Sequence, residues 1–207
     1  MKKAKSLTNV KNLTLLATMT VLVVVFQLIG NFVPIGFNVG AFALVPIVIG
    51  AAILGPWAGA WLGTVFGTVI ISTGTASAFY ALVKPQWLGF IVTVAVVILK
   101  GALAGFVSGI LYGIIAKKSS FAAILTSSIA CPVVNTAIFS IASFTVFLPG
   151  IQGWAVGSGK DVVSYVFLVL IGANFFVELA ICVVLSSVSE RIIKIGKKMR
   201  QDKSHYV

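Results

Sequence analysis

Four hydrophilic side chains stand deep inside apolar stretches of this chain: Lys100, Asn135, Asn174 and Glu178. A lysine at the centre of a membrane helix costs about 2.5–3.5 kcal/mol on insertion scales, and an acidic residue a comparable amount, so such groups imply a partner or a use. Asn174 and Glu178 are four residues apart and share one face of a helix, as do Gln27 and Asn31 in an earlier stretch. Thr64, Thr68 and Ser72 repeat the spacing. Two chemistries are open. Lys100 pairs with Glu178 or snorkels while the amides bond between helices, or Lys100 meets an anionic group of a ligand while Asn135 and Asn174 line its pocket. We prefer the pocket for the two asparagines.

Bond-breaking chemistry has little to work with. The single histidine, His205, lies in the basic tail, and the sequence has no Gly-Lys-Ser/Thr phosphate loop, no Cys-x-x-Cys and no close pair of carboxylates in an apolar stretch. Cys131 and Cys182 sit within apolar stretches and read as small apolar side chains. The expectation is therefore a protein that is not an enzyme, with no cofactor and no metal site. Lacking an ATP site, it would need partners to power transport by nucleotide hydrolysis.

The elements that must position these groups are long apolar helices. Mean hydropathy is +1.14, with 59% hydrophobic and 9% charged residues, outside the range of soluble domains. A span needs roughly 20 apolar residues, which residues 13–33, 87–115, 121–148 and 162–188 supply. Residues 41–72 are too long for one helix, and Gly55-Pro56 divides them into 39–54 and 57–72, because proline suits the first turn of a new helix. The expectation is an all-α polytopic membrane protein with six spans, forming a single membrane domain over 1–207. The basic opening followed by an apolar run imitates a signal peptide, but the run is too long and is taken as the first span.

Charge orients it. Four basic residues precede Leu13, Lys117 and Lys118 separate two spans, and six follow Glu190: twelve of fifteen on one side. Short cytoplasmic connections retain Lys and Arg, so both termini are placed in the cytoplasm, with a basic tail over about 190–207. A net charge of +11 beside apolar spans suits anionic lipid headgroups rather than nucleic acid. The connections 34–40, 73–85 and 149–161 then face outward, as lids over a pocket opening that way. Gln27, Asn31 and Asn38 join Lys100, Asn135, Asn174 and Glu178 as the candidate substrate-binding set.

Two glycine ladders run at four-residue spacing: Gly55, Gly59, Gly63 and Gly67 in the third span, and Gly101, Gly105, Gly109 and Gly113 in the fourth. Small residues let helix backbones approach closely. The fourth-span ladder reads as internal packing. The third-span ladder reads either so or as a smooth docking surface for another membrane subunit.

Several segments together resemble the substrate-binding (S) components of energy-coupling factor vitamin transporters. They are Leu13-Thr14-Leu15-Leu16-Ala17, Phe42-Ala43-Leu44-Val45-Pro46, Gly55-Pro56-Trp57-Ala58-Gly59, Lys100-Gly101-Ala102-Leu103-Ala104-Gly105, Cys131-Pro132-Val133-Val134-Asn135-Thr136 and Asn174-Phe175-Phe176-Val177-Glu178. Their order and spacing cover nearly the whole chain. The resemblance implies a high-affinity vitamin binder of the bacterial plasma membrane. Such a binder docks on a transmembrane coupling subunit with two ATPase subunits, as part of an ATP-binding-cassette importer, and topples to deliver its ligand. An Ala-x-x-x-Ala in the first span marks the docking face in that family; here Ala17 is followed by Val21, half the motif, with Gly55, Gly59, Gly63 and Gly67 as the rest of the candidate surface.

The likeness is closest to the pantothenate branch, whose carboxylate would suit Lys100 and whose hydroxyls and amide would suit Asn135, Asn174 and Gln27. Riboflavin and pyridoxine-type vitamins compete, with Trp87, Phe37 and Tyr80 as stacking faces. A different class, a self-sufficient secondary transporter or channel, would use Lys100 and Glu178 as an ion or proton relay.

Overall fold

The computed structural model describes residues 10–32 and 42–201. Among them every regular element is helical: α1 (Val10–Phe32), α2 (Leu44–Leu54), α3 (Pro56–Ser72), α4 (Ser77–Tyr80), α5 (Gln86–Ile115), α6 (Ser120–Phe144), α7 (Leu148–Gly157), α8 (Val162–Ser164), a π-helical stretch Tyr165–Gly172, α9 (Ala173–Val184) and α10 (Ser186–Gln201). Four runs are long and apolar enough to cross a membrane: Val10–Asn31, Gln86–Ile115, Ser120–Phe144 and Val162–Val184. This is an all-helical, membrane-embedded protein. Asn38 and Phe37 lie outside the described residues.

The Gly55-Pro56 break forms as expected. Gly55 has φ 106°, a backbone conformation that only glycine adopts readily, and its N–H closes α2 on the Ala51 carbonyl at 3.0 Å. Pro56 then opens α3. α2 is the core of the bundle: ten of its eleven residues are buried, packed among α1, α3, α5 and α6.

α3 and α5 make the closest helix pair, and their glycines explain it. A Cβ on Gly63 would strike the Gly101 carbonyl oxygen, and one on Gly101 would strike that of Gly63; Gly59 and Gly105 stand in the same reciprocal relation. A Cβ on Gly67 would come within 2.8 Å of the Val97 carbonyl, and one on Gly109 within 2.6 Å of the Pro56 Cα. The two ladders therefore pack on each other. Gly59, Gly63 and Gly67 are buried beneath α5 and offer no open face to a partner, which corrects the docking reading of that ladder. Gly55 belongs to the turn, and Gly113 meets no neighbour within 4 Å.

α5 is also joined to α6 by a reciprocal pair. The Ser108 hydroxyl donates to the Ser127 carbonyl at 3.2 Å, and the Ser127 hydroxyl to the Ser108 carbonyl at 3.0 Å, both buried. α6 begins at Ser119, whose side chain accepts the Ala122 N–H at 3.2 Å, an N-terminal cap.

Three connections differ from expectation. α6 ends at Phe144, short of 148, and the Gly- and Ser-containing segment beyond it folds as α7 rather than as open loop. Its fold is driven by Ile151 and Ala155, buried four apart on one face. The connection after α3 contains α4, and the last span holds a π-helical stretch and breaks at Leu185, where α10 begins. α10 seats Ser186, Ser189 and Ile193 inward and leaves Val188, Ile192 and Ile195 open on an adjoining stripe.

Candidate functional site

Helix direction brings the hydrophilic side chains to one end of the bundle. The end of α1 meets the end of α3, where the Asn31 side chain donates to the Thr73 hydroxyl at 2.8 Å. The segment after α3, the first half of α5, the second half of α6 and the start of α9 complete that end. Lys117 and Lys118, between α5 and α6, and the Gly55-Pro56 turn lie at the other.

Two cavities open around Lys100. The first, about 140 Å³, includes Gln27, Thr93, Lys100, Asn174 and Glu178 in its wall. The second, about 120 Å³, lies between α5, α6 and the π-helical stretch and is walled by Asn135, Thr136, Leu170 and Ile171, sharing Lys100, Phe139 and Asn174 with the first. π-helical turns recur at functional sites because they displace side chains from α-helical register. Here the stretch supplies Leu170 and Ile171 and runs directly into Asn174.

Glu178 is the hub of the polar set. Only 4% exposed, it receives the Asn174 side-chain N–H at 2.8 Å on one oxygen and that of Asn135 at 3.4 Å on the other. Lys100 and Glu178 lie near enough for their charges to act on one another. They form no salt bridge, the one among the described residues being Lys194 with Glu190 at 2.8 Å. The Lys100 ammonium instead rests 5.6 Å from the ring centre of Phe139 and 6.0 Å from that of Phe66. Cation–π attraction operates at that range. The sequence-level choice between a paired lysine and a free one resolves as a lysine close to, but not bonded to, its counter-charge.

Among the described residues, four buried polar atoms find no partner: Gln27 Oε1, Thr93 Oγ1, Asn135 Oδ1 and Asn174 Oδ1. All four belong to residues in the cavity walls. Leaving a buried polar group unbonded costs roughly 1–3 kcal/mol, so these atoms, spread over two adjoining cavities that share Lys100 and Asn174, offer bonding positions to polar groups from elsewhere. The walls between them are aromatic. Phe79 of α4 stands 5.5 Å from Phe139, 5.4 Å from Phe147 and 5.6 Å from Trp154, ring centre to ring centre, closing one side of the first cavity.

Of the seven residues expected to bind substrate, the structure gathers Gln27, Lys100, Asn135, Asn174 and Glu178. Asn31 stands behind Gln27, accepting its side-chain N–H at 3.3 Å, and is a supporting residue. Thr64, Thr68 and Ser72 turn their hydroxyls to carbonyls of their own helix at 2.8–2.9 Å and stay outside the cavities. The stacking expectation fails for Trp87, which is exposed, and for Tyr80, whose ring lies 5.2 Å from that of Phe90; neither is in the cavity walls. Phe66, Phe79 and Phe139 line the first cavity instead.

Sequence reasoning passed over Thr93 and Phe139. Both carried a signal: Thr93 and Val97 precede Lys100 by seven and three residues on one helical face, and Phe139 follows Asn135 by four. Phe66 and Phe79 carried none. Of the docking candidates, Ala17 and Val21 are exposed on the open side of α1. Beside them the Trp61 indole N–H donates to the Thr20 hydroxyl at 3.4 Å. Among known proteins, no family model, no characterised protein and no solved structure matches this chain.

Proposed function

We propose that this chain is the vitamin-binding component of an energy-coupling factor importer, with pantothenate as its first candidate ligand and riboflavin or a pyridoxine-type vitamin next. The observation that carries the reading is the gathering of one ammonium, one carboxylate and four unbonded buried polar atoms around cavities within a membrane bundle. Small-molecule sites combine apolar walls with a few convergent polar groups in this way. Each cavity is below the roughly 300 Å³ at which ligand pockets usually begin, which favours a small acid over a flavin. Lys100 supplies the counter-charge for a carboxylate.

In this reading α2 and α3 complete a six-helix membrane domain. The basic segments place both termini and the Lys117–Lys118 turn in the cytoplasm, and the cavities open to the outside of a bacterial plasma membrane. With the glycine ladder taken by α5, the partner-docking face narrows to Ala17, Val21 and their neighbours on α1. A transmembrane coupling subunit and two ATPases supply the power stroke.

The decisive experiment is mass spectrometry of the small molecule released when protein purified from its own membrane is denatured, joined to calorimetric titration with pantothenate, pyridoxine and riboflavin. Release of a vitamin at about one per chain supports the reading. Silence across the three vitamins, together with proton-coupled uptake by liposomes containing this chain alone, would replace it with a self-sufficient transporter using Lys100 and Glu178.

A further inference from the structure

The hydrogen bonds behind the cavity fix which way its amides face. Asn174 and Asn135 each turn a side-chain N–H2 to Glu178, at 2.8 and 3.4 Å, so each must turn its carbonyl oxygen away from the carboxylate. Those two oxygens are buried and unbonded. A second chain starts at Thr73. Its hydroxyl donates to the Val69 carbonyl at 2.9 Å and therefore accepts from Asn31 at 2.8 Å. Asn31 then presents its own oxygen to the Gln27 N–H2 at 3.3 Å, which leaves Gln27 Oε1 unbonded.

Neither chain can be reversed by flipping one amide alone; the second reverses only if Asn31 and Gln27 both flip and the Thr73 hydroxyl gives up the Val69 carbonyl for Asn31. Flipping Asn174 or Asn135 would set a carbonyl oxygen against a carboxylate oxygen. Flipping Gln27 would set two amide oxygens against each other. An amide's orientation follows from such networks: the carboxylate of Glu178 sets it at Asn135 and Asn174, and the Thr73-to-Val69 bond sets it at Gln27.

From these two chains we infer that the site is an acceptor-lined pocket that selects a ligand bearing several O–H or N–H donors, and that Glu178 is a positioning residue that holds Asn135 and Asn174 in that orientation. This rests on the reading of a small-molecule site and names its substrate class: a compact molecule with hydroxyl or amide donors spaced to meet Gln27, Asn174 and Asn135. Thr93, whose hydroxyl can donate or accept, adapts to either. A molecule of similar size offering only ether, ester or ketone oxygens leaves three buried acceptors unpaired and is rejected. Sites built around hydrogen bonds discriminate strongly for this reason.

The test pairs each of pantothenate, pyridoxine and riboflavin with its O-methylated derivative in calorimetric titrations of the purified protein. Whichever vitamin binds should lose at least tenfold in affinity when its hydroxyls are capped; an ether that binds within twofold overturns the inference. The molecule released on denaturation provides a second measurement. Two or more O–H or N–H donors on it support the inference, and a donor-free molecule overturns it. A donor-rich molecule that is no vitamin sinks the importer reading while leaving the acceptor-lined pocket standing.

Glu178→Gln tests the positioning role, because its new amide forces one asparagine to turn a donor into the cavity. Binding at least tenfold weaker, with an unchanged elution profile and melting temperature, supports that role, and unchanged affinity overturns it. If that variant does not fold, Gln27→Met tests the acceptor lining through the other chain: binding at least tenfold weaker supports the acceptor-lined pocket, and unchanged affinity overturns it.

Discussion

Gly63 and Gly101 face each other so closely that the hydrogen standing where a side chain would begin on each points at the other's carbonyl oxygen. No larger residue fits either position without parting α3 from α5. Forced overpacking costs about 1–3 kcal/mol where neighbours can shift, and backbone cannot shift as a side chain does. Gly63→Leu should therefore unfold or mispack the protein, seen as loss of a monodisperse peak in size-exclusion chromatography. Gly113→Ala, with no neighbour within 4 Å, should be neutral or stabilise by up to about 1 kcal/mol through helix propensity. Equal effects from the two would refute the close-packing account.

Ser108 and Ser127 exchange hydroxyl-to-carbonyl bonds across α5 and α6. Hydrogen bonds between membrane helices average about 0.6 kcal/mol in double-mutant cycles. Ser108→Ala should thus cost less than about 1 kcal/mol, and Ser127→Ala about as much again, since each variant leaves the other hydroxyl-to-carbonyl bond in place. Thermal melts of the two single variants and the double variant in one detergent check this; a loss of several kcal/mol for either single change would contradict it.

Lys100 provides the sharpest separation of binding from folding. Its ammonium lies near two phenylalanine rings and forms no salt bridge, so Lys100→Met breaks no bonded pair but leaves the buried Glu178 without its neighbouring counter-charge. The variant should fold with a lowered melting temperature while affinity for a carboxylate ligand falls at least tenfold. Equal titration curves for wild type and variant would remove Lys100 from the site.

Ala17 and Val21 lie on the exposed side of α1, away from the cavities. On the importer reading proposed above, Val21→Arg should weaken copurification with the proposed coupling subunit and leave ligand affinity within twofold. Reduced ligand binding with intact complex assembly would invert the assignment.

Much of the site could be read before any coordinates, because a membrane interior makes each polar residue conspicuous. Lys100, Asn135, Asn174, Glu178 and Gln27 stood out as departures from an apolar background, and helical spacing paired two of them. What spacing could not supply was the partner of each face. Both glycine ladders were visible, but a ladder looks the same whether it meets a helix of its own chain or of another, and only geometry placed one on the other. Aromatic walls were hidden for the opposite reason: among 15 phenylalanines, nothing marks Phe66 or Phe79 out. Trp87 and Tyr80 drew attention by type alone and proved peripheral. The helix within 149–161 was masked by its glycines, though Ile151 and Ala155 already had helical spacing.

α2 carries a last consequence. Eleven residues at about 1.5 Å each span only some 16 Å, roughly half of a bilayer's hydrocarbon. Ten of those residues are enclosed by neighbouring helices, so acyl chains barely touch it. Bilayer thickness therefore exerts almost no pull on this element. Thinner or thicker lipids should tilt the outer helices around α2 like staves around a peg, leaving the centre of the molecule indifferent to the membrane that surrounds it.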